Sequence, residues 1–95
     1  MLVQSTYKSN DTVSIKITSG EEIVGRLVEE TSDYIRLKKP MMVVAAGQGI
    51  GLAPYMFTSA SEDMSFNKDL IVTMTGTVAD INTKYLETTT GLKLN

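Results

Sequence analysis

Tyr34, Arg36 and Lys38 occupy alternate positions in the run Asp33-Tyr34-Ile35-Arg36-Leu37-Lys38. Alternation of this kind is the period of a strand with two unlike faces. Ile35 and Leu37 would turn to a core, while the other face would present an aromatic ring beside two cations. A ring can stack on a base and the cations can neutralise phosphates, so the chemistry suggested is binding of a single-stranded nucleic acid, RNA or DNA. Asp33 lies in the turn just before the strand, and Lys68, preceded by Asn67, sits in a second turn. The competing reading is a solvated outer face, which antiparallel sheets commonly show to water.

Little else in the chain invites chemistry. It has no histidine and no cysteine. The usual general base near neutral pH, the commonest metal ligand, a thiolate nucleophile and any disulfide are therefore missing. The acidic pairs Glu21/Glu22, Glu29/Glu30 and Glu62/Asp63 are sequence neighbours, and neighbours on a strand point to opposite faces, so none converges on one site. No enzymatic activity, no cofactor and no metal are expected. The run Gly47-Gln48-Gly49-Ile50-Gly51 lacks the third glycine of a dinucleotide fingerprint and the Gly-Lys-Ser/Thr of a P-loop, and reads as a mobile loop. Nine basic against eleven acidic residues give a net charge of −2. Attraction to nucleic acid would have to come from a local patch. Arg26 reads as a structural partner of Glu29, Glu30 or a neighbouring subunit, and Met41, Met42, Met56, Met64 and Met74 as core and interface filler.

The elements that must position these residues begin at Val13. Val13, Ile15 and Ile17 alternate with polar residues in a first strand, and Gly20 supplies a turn. A second strand, Ile23 to Glu30, is interrupted by Gly25, which marks a bend or a close backbone approach. Thr31-Ser32-Asp33 turns the chain into the third strand, which starts at Tyr34, and Pro40 punctuates it. Met41 to Ala46 is apolar without alternation, so both of its faces should be covered. Leu52 to Thr58 is a strand candidate with Pro54 at an edge or bulge, Ser59 to Asp69 reads as loop, and Leu70 to Thr75 as the last strand, ended by Gly76. From 78 to 90 the period becomes helical through Val78, Ile81 and Tyr85, with Asp80 near the start and Gly91 past the end. Residues 1–12 form an arm with a short edge strand.

These elements describe one domain over 1–95: a mainly β, strongly bent five-stranded barrel of the SH3-like or OB type with a short C-terminal helix. A chain this short has a thin core. A half-open sheet has two edges, and the apolar last two strands carry few guarding charges. Such edges pair with another copy, and a head-to-tail contact that closes gives a homo-oligomeric ring. The uncharged run from 40 to 61 is interrupted by Gly47, Gly49, Gly51 and Pro54, so no membrane span is expected. Without a basic and apolar leader at the N-terminus, a cytoplasmic location is expected.

The spacing of Val13, Ile15, Ile17, Gly20, Gly25 and Leu27 resembles the first motif of the Sm-like family (Sm, Lsm and bacterial Hfq). There, a hydrophobic strand leads through a glycine turn to a bent strand carrying G-x-L. The chain as a whole is similar to short Sm-like proteins of marine, cyanophage origin. The resemblance implies the bent barrel, ring assembly through the last two strands, and RNA contact near Asp33, Tyr34, Arg36, Lys38 and Lys68. The family's second motif is replaced here by Lys68-Asp69-Leu70-Ile71-Val72-Thr73, so its base pocket does not carry over intact. The leading expectation is a non-enzymatic ring that binds single-stranded RNA or DNA. The alternative is a structural or protein-interaction ring with no nucleic-acid ligand.

Overall fold

A computed structural model describes residues 6–91. Six strands and one helix follow in the order β1 (Thr12–Ile17), β2 (Glu22–Glu30), β3 (Tyr34–Ala46), β4 (Gly49–Pro54), β5 (Asp63–Asn67), β6 (Ile71–Gly76) and α1 (Ala79–Thr90), with a 3-10 turn at Lys68–Leu70. All pairings are antiparallel, in the order β4-β3-β2-β1-β6, with β5 also on β3. Among the described residues β5 and β6 do not pair, so the sheet is not closed.

The β1–β2–β3 meander follows the sequence pattern closely. Gly20 takes φ +104 in the first turn, a conformation that favours glycine. In the second turn the Thr31 hydroxyl accepts the amides of Asp33 and Tyr34, both at 3.1 Å. Gly25 lies at a register shift between β2 and β3, and a Cβ there would come within 3.0 Å of the Leu37 Cβ. The bend and the close approach have one cause: only a residue without a side chain lets β2 fold over β3 at this point.

Inside the bend Val13, Ile15, Ile17, Ile23, Leu27, Ile35, Leu37 and Phe66 form one buried cluster. A smaller cluster of Val24, Met41 and Tyr85 lies under α1, flanked by Val43, Leu52, Ile81 and Leu86. Ile23 and Val24 are both buried because the helix covers the face of β2 opposite the larger core cluster. The helix starts at Val78 without a side-chain cap, with Asp80 in its first turn, and ends on Gly91 at φ +75. Acid near the start and a left-handed glycine at the end suit the helix dipole and the terminal carbonyls.

The second half of the chain differs from its sequence reading. The sheet has six strands rather than five, because residues 59–69 are not all loop: β5 lies within them, its Met64 and Phe66 turned inward toward Leu37 and Ile35. β3 does not stop at Pro40. It shifts at Lys39, which takes φ +49, and runs on to Ala46, pairing first with β5 and then with β4. The glycine-rich stretch is mostly strand, since Gly47-Gln48 alone makes the turn and Gly47 carries the positive φ of a two-residue hairpin. β4 accordingly ends at Pro54 instead of running to Thr58. Only one face of this half of β3 is covered, through Met41 and Val43 under α1; Met42 on the other face is half-buried, and Ala45 and Ala46 are exposed. Of the N-terminal arm, residues 1–5 lie outside the described residues. Asn10 and Asp11 continue the pairing with Leu27 beyond β1, at 2.7 and 2.8 Å, and Thr12 already belongs to β1.

Candidate nucleic-acid interface

Tyr34, Arg36 and Lys38 share the outer face of β3 because Ile35 and Leu37 are drawn into the core. The Arg36 guanidinium lies 5.3 Å from the centre of the Tyr34 ring, a cation–π distance. Asp33 is exposed, and its carbonyl accepts the Lys68 amide at 2.8 Å. The two turns named from the sequence thus meet at one end of the sheet. Cross-strand pairing adds a residue not singled out as a ligand contact: Arg26 stands directly opposite Lys38, with Asp63 on its other side. Three cations, Arg26, Lys38 and Arg36, therefore neighbour one another on the outer face. Recognising Arg26 from sequence required the register beyond Gly25, and a bulge sets that register.

Acidic neighbours counter much of this charge. Glu29 sits opposite Arg36, forms an ion pair with it at 3.2 Å and accepts the Tyr34 hydroxyl at 2.7 Å. This hydrogen bond, followed by burial, pushes the Tyr34 phenol pKa above its ordinary value. Arg36 Nε also donates to the Ser65 hydroxyl on β5 at 3.2 Å. Lys68 points away from the Tyr34 face and holds Glu30 at 2.7 Å, with side-chain exposures of 26% and 13%. Glu29 and Glu30 thus act on opposite faces, as neighbouring strand residues should. Neither pairs with Arg26, which forms no ion pair among the described residues. Lys38 forms none either.

The arrangement can stack a planar group on Tyr34, with Arg26 and Lys38, which form no ion pair among the described residues, further along the same face. Using Arg36 would first require opening its contact with Glu29. Among the described residues no group of three or more His, Cys, Asp or Glu side chains is placed to hold a metal ion. No helix among them is long and apolar enough to cross a membrane. No known protein-family model matches the chain, and no curated protein matches it significantly.

Proposed function

We propose that this chain is a non-enzymatic, ring-forming Sm-like protein acting in the cytoplasm as a scaffold or protein-interaction ring. In this reading β1, β2, the first half of β3, β5 and β6 are the five strands of the Sm-like barrel, and β3–β4 is a hairpin extension. The carrying observation is that among the described residues β4, β5 and β6 each pair with a single strand, and that the free sides of β5 and β6 are the ones a barrel would have to join. β5 pairs only with β3 and β6 only with β1, leaving one side of each without a partner among the described residues. Leu70 and Val72, at 52% and 63% exposure, stand on or beside the β6 edge, and β6 itself holds no charged residue. An uncharged, partly apolar edge of this kind is a template for another chain. β5 of one copy on β6 of the next is a heterologous contact, and it yields a ring if the rotation closes.

Single-stranded nucleic acid is the second reading, favoured by Tyr34 and by Arg26 and Lys38 further along the same face. A ring would repeat this patch in every subunit. The pairing of Arg36 with Glu29 and of Lys68 with Glu30, together with a net charge of −2, places it second. Light scattering at low salt, with and without a short single-stranded RNA, tests both. A discrete oligomer indifferent to RNA supports the scaffold. An oligomer that binds RNA, and loses it on Arg26→Ala/Lys38→Ala, makes nucleic acid the ligand. A monomer removes the ring.

A further inference from the structure

We infer that Phe57 of one copy is the anchor that seats in a cleft beside the start of α1 on the next copy. The inference rests on the ring reading above. Phe57 is 84% exposed, in the loop between β4 and β5. β4 leaves β3 opposite Met41 and β5 rejoins it opposite Lys38, so residues 55–62 span a gap of only Lys39 and Pro40 along that edge. Tyr55 and Glu62 are held on that edge, the Tyr55 amide donating to the Pro40 carbonyl at 3.0 Å and the Lys39 amide to the Glu62 carbonyl at 2.6 Å, so the residues between them loop outward from it. A buried aromatic contributes 150–250 Å² of contact, roughly, and dominates interface energetics; this one is left in solvent.

The free edge of β6 has the matching hollow. A cleft of about 220 Å³ lies beside the end of β6, walled by Val24, Val43, Ile50, Val78 and Ile81. Its volume falls below the roughly 300 Å³ at the low end of small-molecule sites, and is on the scale of one large side chain. Ile50 and Val78, at 46% and 70% exposure, give it an apolar rim, and Glu22 is its one charged liner. The loop from 55 to 61 carries no charge to oppose burial there. Position decides the match. All pairings in the sheet are antiparallel, and an antiparallel join of β5 to the next copy's β6 runs the residues before Asp63 toward those after Gly76. Thr77 and Val78, which follow Gly76, are walls of the cleft.

Light scattering on Phe57→Ser, Val78→Glu and Ile50→Glu, separately and mixed, tests this, with circular dichroism on each to confirm folding. Phe57 is exposed, and an acid at the helix start suits the dipole, so the fold should persist. Each variant is expected to weaken the subunit contact by at least about thirty-fold, as loss of an interface anchor does. Phe57→Ser mixed with Val78→Glu restores one intact contact per pair, so the mixture should form a heterodimer that neither variant forms alone. A ring unchanged by Phe57→Ser overturns the anchor and leaves the ring reading standing. Dissociation by Phe57→Ser with both cleft variants intact overturns the cleft as its seat, as does a mixture that stays monomeric. A monomeric wild type removes the ring reading and the inference together.

Discussion

Inside the bent sheet, eight buried side chains meet in one cluster and none of them carries a polar atom. The hairpin and α1 are held together differently: three residues are buried there, and Tyr85 does two jobs. Its ring fills the space under the helix. Its hydroxyl accepts the Arg26 amide at 3.2 Å and donates toward the carbonyls of Lys38 and Lys39 at 2.8 and 3.0 Å. These are backbone groups that the sheet leaves over where β2 bulges at Gly25 and β3 shifts at Lys39. Lys39 adds a second fastening, its ammonium donating to the Thr89 carbonyl near the helix end at 2.7 Å. The bent sheet therefore rests on distributed apolar burial, and the covered hairpin on a few directed bonds around one side chain. A region of the second kind opens locally at lower free energy than the first.

The largest effect should come from emptying the core of the bent sheet. Ile15 is 1% exposed at the centre of the cluster, so Ile15→Ala should cost about 2–5 kcal/mol. That is a large fraction of the roughly 5–15 kcal/mol expected of a small domain. A lower urea midpoint with unchanged slope would report it. Gly25→Val comes next, about 1–3 kcal/mol, since its Cβ would press on Leu37 where the backbones are closest. A valine tolerated there without loss would mean the bend yields, and would break the contrast between a rigid bent sheet and a looser hairpin.

Tyr85→Phe keeps the ring and removes only the bonds. It should cost about 1–3 kcal/mol, because the Arg26 amide and two carbonyls lose their partner. Hydrogen exchange should accelerate in α1 and in residues 41–54 well before the strands of the bent sheet. Equal acceleration everywhere would show one cooperative unit instead of two. Burial raises the Tyr85 pKa. The folded protein thus holds this proton more tightly than the unfolded chain. The corresponding stability is intact below the free phenol value of about 10 and is lost as pH rises through the folded value. Tyr85→Phe should remove that part of the alkaline sensitivity.

The same contrast separates what the sequence revealed from what it hid. β1, β2 and the start of β3 alternate regularly, and Gly20 and Gly25 fall where a turn and a bend need them, so this half was legible. α1 was legible too, from its apolar spacing and from Gly91. β5 carried the signal, since Met64 and Phe66 alternate with Asp63, Ser65 and Asn67, but two apolar positions in a polar stretch are too short a run to stand out from loop. In β6 a bulge opposite Lys16 and Ile17 turns Ile71 and Met74 to the core and leaves Val72 outside. Simple alternation would have grouped Leu70, Val72 and Met74. At the candidate site, the adjacency of Tyr34 and Arg36 could be read directly. Its neutralisation could not: the register shift between Leu27 and Glu29 leaves Val28 over and sets Glu29 opposite Arg36. One bulge decides whether that face is cationic or paired.

The smallest effects concern the Arg36–Glu29 and Lys68–Glu30 ion pairs, and they sharpen the comparison at the level of single charges. Arg36 and Glu29 are 39% and 44% exposed, so solvent screens their attraction, and Arg36→Ala should change stability by less than about 1 kcal/mol. Lys68 and Glu30 are more sheltered, at 26% and 13%. Lys68→Met should cost more than Arg36→Ala because it removes a cation from a carboxylate, that of Glu30, held in a less solvated place. Raising salt to 1 M should shrink the Arg36 effect and largely spare that of Lys68, since buried pairs are screened much less. Urea titrations of both variants at low and high salt would measure this. If the two pairs respond alike, Glu30 is as well hydrated as Glu29, and Lys68 is then as available to a ligand as Arg36.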